Sequence, residues 1–165
     1  FFLTYAHPSV PILIDPQQFP SIVLGTDRLI PVSRPSEIGP VLDHAIANGE
    51  ALPYLSYGDF SFFGAALSQK FLAGPDFKRQ VMHENTISIG LKAMALAGWG
   101  MAWLPESLIY DEVQQGELVR ASTDSYWDLT VEIRIYRHDT PLQKHAESFW
   151  EFLCAKRKLI SEQGI

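Results

Sequence analysis

ISIGLKAMALAGWGMAWLPE, residues 87–106, reads as a helix that stops at a glycine and passes directly into a short buried strand. Glu84-Asn85-Thr86 leads into it, and the Thr86 hydroxyl is placed to cap the first turn by accepting one of its unpaired N–H groups. Ile87, Leu91 and Met94 keep a three-to-four-residue apolar spacing, and Ala95 and Ala97 favour helix. Gly98 stands where helices commonly end, since glycine enters the left-handed conformation without a Cβ penalty. Gly100-Met101-Ala102-Trp103-Leu104, closed by Pro105, is then a strand covered on both faces. A helix start beside a glycine-flanked strand can offer N–H groups and a few side chains to a small ligand.

Outward from this unit the pattern alternates. Ser36 to Asn48 reads as a helix ended by Gly49, Leu52 to Ser56 as a strand, and Ser61 to Ala73 as a helix closed by Gly74-Pro75. Phe77 to His83 is a strand candidate, Pro105 to Gln115 a helix stopped by Gly116, and Leu118-Val119 a short strand. Strands alternating with such helices imply βαβ units and a mostly parallel sheet. At the front, residues 1–6 are β-prone up to His7-Pro8, and Pro8, Pro11, Pro16 and Pro20 keep the next segment irregular. Ile22 to Leu24 resumes an extended run that should break at Gly25-Thr26-Asp27 before a second strand at 28–33. At the back, Leu129 to Tyr136 alternates apolar and polar residues, and Thr140-Pro141-Leu142-Gln143 has the spacing of a capping box for a last, amphipathic helix. A lone strand in front and a strand plus helix behind cannot each form a core. The economical expectation is a first lobe from residues 1–26 and 128–165 and a second from 27–127, joined by two crossings.

The 165 residues suffice for one domain or two small lobes, and 47% hydrophobic with 19% charged residues is globular composition. A formal net charge of −6 argues against this segment gripping nucleic acid by itself. A single cysteine, Cys154, excludes an internal disulfide framework and suits a reducing cytosol. No run has transmembrane length, so membrane contact is not expected, and no basic n-region followed by an apolar h-region is seen. Opening at Phe1 inside a strand, the chain is expected to be a piece of something longer.

The chemistry-bearing motifs mostly exclude. Gly98-x-Gly100 lacks the third glycine of a dinucleotide fingerprint and follows a helix instead of a strand. His7, His44, His83, His138 and His145 have no ligand spacing, so neither metal nor other cofactor is expected. No G-x-S-x-G elbow occurs, and Ser61 is read as a helix cap that can also show its hydroxyl to an anion. No catalytic constellation emerges, and the chain is not read as an enzyme. His7, closing the first strand, suits ligand contact and an ordinary surface role alike.

Leu96-Ala97-Gly98-Trp99-Gly100-Met101-Ala102-Trp103-Leu104-Pro105-Glu106, followed by Gly116-Glu117-Leu118-Val119, resembles the G-x-G-I-A-x-L-P … G-x-L-V pattern of LysR-type transcriptional regulators. The resemblance extends through the chain, and the Ala-Trp-Leu-Pro-Glu variant looks like a branch with oxidant-responsive members. It implies an α/β, periplasmic-binding-protein-like effector domain of two lobes with a double crossover, its first lobe incomplete at the N-terminus. It further implies a small-molecule effector between the lobes, pairing of effector domains into a homo-oligomer, a cytoplasmic location, and DNA contact only through a helix-turn-helix domain absent here. By position in that family, His7, Ser33, Ser61, Asn85, Thr86 and Met101 are the expected effector-binding residues. The other architecture-level reading is a solute-binding protein of a transport system.

Overall fold

Thirteen residues, Ser21–Ser33, form one continuous strand, β2, straight through the expected break at Gly25-Thr26-Asp27. Local turn chemistry loses here to the sheet ladder, because β2 has β7 and β5 as its neighbours in the strand order. Asp27 also has a task other than starting a turn. It is buried, and its carboxylate accepts the Arg28 N–H at 2.8 Å and the Ser107 hydroxyl at 2.6 Å.

The computed structural model describes residues 1–162, so the last three residues of the expected first lobe lie outside the described residues. The chain forms two units, one of Phe1–Thr26 with the chain from Val131 on, the other of Asp27–Thr130.

In the first unit β1 (Phe2–Ala6) pairs antiparallel with β7 (Leu129–Tyr136), Phe2 opposite Tyr136 and Ala6 opposite Glu132. Helix α5 (Lys144–Glu162) closes it, and Phe1 stacks on Trp150 and meets Phe149 edge-on. The capping box expected at Thr140–Gln143 does not form. Thr140 turns its hydroxyl to the His138 ring, while Glu147 in the first turn of α5 takes the Leu142 N–H at 2.8 Å and clasps Arg137.

In the second unit the remainder of β2 pairs antiparallel with β5 (Ala102–Pro105), Leu29 opposite Pro105 and Val32 opposite Ala102, and with β6 (Val119–Arg120). The parallel sheet expected from the alternation is confined to β3 (Leu52–Tyr57) with β4 (Arg79–Asn85), and to a parallel bridge between Tyr54 and Met101. Between β3 and β4 lies α2 (Phe62–Ala73), and after β4 comes α3 (Ser88–Leu96). Each helix carries the chain back to start the next strand in the same direction, whereas β2 enters from the other side and runs opposite.

Several boundaries move for local reasons. Helix α1 is Val41–Asn48 and not 36–48, because Gly39 at φ 76° and Pro40 hold the preceding residues off the helix. The helix expected from Pro105 divides into a single 3₁₀ turn, Glu106–Leu108, and α4 (Tyr110–Gln114), because Pro105 is held in the sheet against Leu29. Phe77 leaves the expected strand for the aromatic core, edge-on to Phe71 and Trp127. Trp103, fully buried, is the hub of that core: it touches Tyr54, Phe71, Phe77 and Trp127 and donates its indole N–H to the Trp127 carbonyl at 2.8 Å. Gly98, at φ 81°, follows the end of α3 as the sequence demands.

Candidate functional site

Because β3 and β4 are parallel, their carboxyl ends share one edge, where open α/β sheets hold their ligands. After β3 the chain makes the turn Gly58-Asp59-Phe60-Ser61 and enters α2. The Ser61 hydroxyl caps that helix by accepting the Gly64 N–H at 3.0 Å, as its position implies. After β4, Asn85 and Thr86 lead into α3. Here the cap is not Thr86: the Asn85 side-chain carbonyl accepts the Ile87 N–H at 2.9 Å, an Asx turn, and Ile87 precedes the helix without a side-chain cap. Thr86 is therefore left exposed at the edge, with no hydrogen bond to its hydroxyl among the described residues.

Three glycines bring the two turns together. A Cβ on Gly58 would lie 3.1 Å from the Thr86 methyl and 3.3 Å from Glu84 Oε1. One on Gly64 would lie 2.2 Å from the Gly58 carbonyl oxygen, and one on Gly90 2.5 Å from the Asn85 amide nitrogen. Tyr57, buried at the end of β3, ties the same edge to α3 by donating its hydroxyl to Ser88 Oγ at 2.8 Å. Gly58, Gly64, Gly90, Tyr57 and Ser88 escaped the sequence reading. Glycines inside two otherwise good helices were the available signal, since a helix tolerates glycine mainly where a backbone must come close.

Of the six expected residues, the structure gathers Ser61, Asn85 and Thr86 at this edge. Ser33 and Met101 lie together elsewhere, at the amino end of β3, where they line a cavity of about 520 Å³ with Arg34, Leu52, Met82 and Trp99. Strand direction explains the separation. Val32 stands opposite Ala102, so Ser33 and Met101 belong to the start of β5 and not its end. The six residues of β3, about 20 Å at a strand's rise, lie between the two places. His7 belongs to the first unit, half-buried, with Nδ1 2.7 Å from Ser9 Oγ, in the lining of a cavity of about 410 Å³ with Phe19, Glu132 and Arg134.

The carboxyl edge can take a small polar or anionic group. Helix-start N–H groups and the hydroxyls of Ser61 and Thr86 supply donors, and the Glu84 carboxylate supplies an acceptor for an N–H or cation on the same ligand. Ion pairs brace the unit around it. Arg28 holds Glu106 through both guanidinium branches at 2.9 and 2.8 Å, and this contact, with Asp128 nearby, raises the Arg28 pKa. Asp43 on α1 is pushed up by burial, yet hydrogen bonds from Ser122 and from the Thr123 N–H and hydroxyl, with Arg120, outweigh this and hold it below the usual carboxylate range. Burial pushes the Tyr54 phenol to about 12, so it is a neutral core group. Among the described residues no three His, Cys, Asp or Glu side chains converge to cage a metal, and no helix is long and apolar enough to cross a membrane.

This fold is matched from Leu3 nearly to the end of the chain: the LysR substrate binding domain model covers residues 3–157. The chain belongs to that family, with its periplasmic-binding-protein-like α/β fold, and is an effector-binding domain of the LysR type. It is 30% identical over 135 residues to the HTH domain-truncated transcriptional regulator QseD of Escherichia coli O157:H7, covering 82% of this chain and 54% of the relative. It is also 30% identical to the HTH-type transcriptional regulator YjiE of Escherichia coli K12, covering 82% and 44%. The chain thus spans about half the length of these curated relatives. Among solved structures it is similar to the bromide-bound regulatory domain of HypT from Salmonella typhimurium, with a TM-score of 0.76 and 26% identity over 93% of this chain and 69% of that one. These relatives are regulators, which is not an enzyme class, and they favour the regulator over the transport reading.

Proposed function

We propose that this chain senses a small molecule on behalf of a bacterial transcriptional regulator, and that the molecule docks at the carboxyl edge of β3 and β4. The observation that carries the reading is the convergence of Ser61, Thr86 and two helix starts around Gly58, with the Glu84 carboxylate beside them. The whole protein is then a cytoplasmic homo-oligomer without catalytic activity that contacts DNA through a helix-turn-helix domain outside this chain. Occupancy of the site adjusts that contact. HypT is described as a hypochlorite-specific LysR-type regulator, and its regulatory domain has been solved with bromide bound. By analogy a compact anion, or the carboxylate of a metabolite, is the first class to try here.

A thermal-shift screen of halides, carboxylates and amino acids tests this, because a ligand that binds only the folded chain raises its melting temperature by mass action. Hits should lose most of their shift in Ser61→Ala and Thr86→Ala. Hits unaffected by both substitutions would remove the carboxyl edge as the effector site.

A further inference from the structure

We infer that the cavity at the amino end of β3 is a second small-molecule site, built for a compact carboxylate with an aromatic or branched apolar body. It is separate from the carboxyl edge, although Ser33 and Met101, two of the residues expected to bind the effector, line it.

Its most telling element is Trp99. The indole is 57% exposed, yet its backbone is fixed: Gly98 and Gly100 flank it at φ 81° and 158°. A Cβ on Gly100 would strike the Pro53 carbonyl oxygen at 2.7 Å, the Trp99 N–H is bound to the Met94 carbonyl at 3.1 Å, and the Met101 N–H to the Pro53 carbonyl at 2.9 Å. The turn is thus fastened to both α3 and β3 and presents an open aromatic face without a flexible loop beneath it. An exposed ring held in this way is a typical recognition element.

Beside this turn stands Arg34. Its side chain lies over Gly98, with Nη1 3.9 Å from the place a Cβ there would occupy. In a chain of 13 basic and 19 acidic residues an arginine finds a carboxylate easily, and Arg28, Arg120, Arg134 and Arg137 all do. Arg79 lies against the rings of Phe71 and Phe77. Arg34, among the described residues, has neither an ion-pair partner nor a ring, although it lines a cavity. Ser33 spends its hydroxyl on the Arg34 carbonyl at 2.9 Å, which holds the backbone beneath the guanidinium. The remaining wall is Val41, Leu52, Pro53, Met82 and Met101, all apolar, around about 520 Å³. A guanidinium and an exposed indole on one apolar cavity select a planar carboxylate on an apolar body: the fork pairs with the carboxylate and the ring covers the rest. A cation would meet Arg34 unfavourably, and a neutral isostere would forgo the charge-assisted bonds.

Phenylacetate and its neutral isostere 2-phenylacetamide are the probes. The four tryptophans give separate indole N–H signals in ¹H–¹⁵N spectra of the chain, with Trp99 identified by Trp99→Phe. Phenylacetate at about 10 mM should move the Trp99 signal, while 2-phenylacetamide and the Arg34→Gln variant should bind roughly tenfold more weakly. Arg34→Lys should recover part of the binding, and Thr86→Ala should bind as the parent does. Arg34 is exposed, so its variants should keep the parent melting temperature. The proposal is overturned if acid and amide move Trp99 equally, if Arg34→Gln binds as the parent, or if no Trp99 shift occurs. A response lost in Thr86→Ala but kept in Arg34→Gln would place the ligand at the carboxyl edge and also overturn it, leaving the proposed effector site standing.

Discussion

Replacing Gly64 by alanine puts two magnitudes against each other. On helix propensity alone, glycine to alanine inside α2 should stabilise by about 1 kcal/mol. The structure says otherwise, because the new methyl would lie 2.2 Å from the Gly58 carbonyl oxygen and 2.9 Å from its carbon. Those are backbone atoms at the end of β3, so no side chain can swing away. Relief needs the β3–α2 turn and the helix to separate by about 1 Å, an overpacking strain of about 3 kcal/mol at the upper end of the usual range. The net is a loss of about 2 kcal/mol, or about 4–8 °C in melting temperature for a chain of this size. Gly25→Ala is the control, since nothing lies within 4 Å of its Cβ position. Thermal unfolding followed by circular dichroism reads both. The same substitution should also weaken any ligand that depends on Ser61, because the cap sits 3.0 Å from the same Cβ. A Gly64→Ala chain as stable as the parent, or more so, would refute the close packing of the two turns on which the site depends.

Two further perturbations probe the frame. Asp43→Asn should cost about 1–2 kcal/mol at pH 7, since the carboxylate accepts bonds from Ser122 and Thr123. The folded-state pKa is lowered, so this contribution is present above the unfolded value of about 3.9 and is lost as pH falls through the folded pKa. Urea unfolding should show a gap between parent and variant that is constant from about pH 5 to 7 and narrows below about pH 4; a gap that widens in acid would contradict the assignment. Trp103→Phe should destabilise by about 2–4 kcal/mol, leaving the Trp127 carbonyl without its donor and a void among Tyr54, Phe71 and Phe77. A shift of the urea midpoint corresponding to less than about 1 kcal/mol would mean the aromatic hub is not a core.

What could be read from the sequence was what local chemistry fixes. Gly98 and Pro105 bracket the turn and strand between them whatever surrounds them, and Ser61 caps α2 because its spacing to Gly64 is a matter of one helical turn. What could not be read was set by pairing at a distance. Gly25-Thr26-Asp27 looks like a turn until β2 is seated between β7 and β5 in the sheet. The alternation of strands and helices suggests parallel pairing, but β2 runs antiparallel to β5 and β6. The site divided on the same line. Ser61, Asn85 and Thr86 follow or end parallel strands and so converge, whereas placing Ser33 and Met101 needed the direction of β5 relative to β2, which spacing does not contain. Threonine suits a helix cap, and position 86 reads as one from the sequence alone. Asn85 makes the tighter Asx turn one residue earlier, and the hydroxyl is left for something else.

Isothermal calorimetry of the best thermal-shift hit against the parent, Ser61→Ala, Thr86→Ala and the double variant tests the central claim most directly. If the carboxyl edge of β3 and β4 is the effector site, each single substitution weakens binding several-fold or more and the double variant further, with melting temperatures that show an intact fold. Undiminished affinity in the double variant would contradict the account.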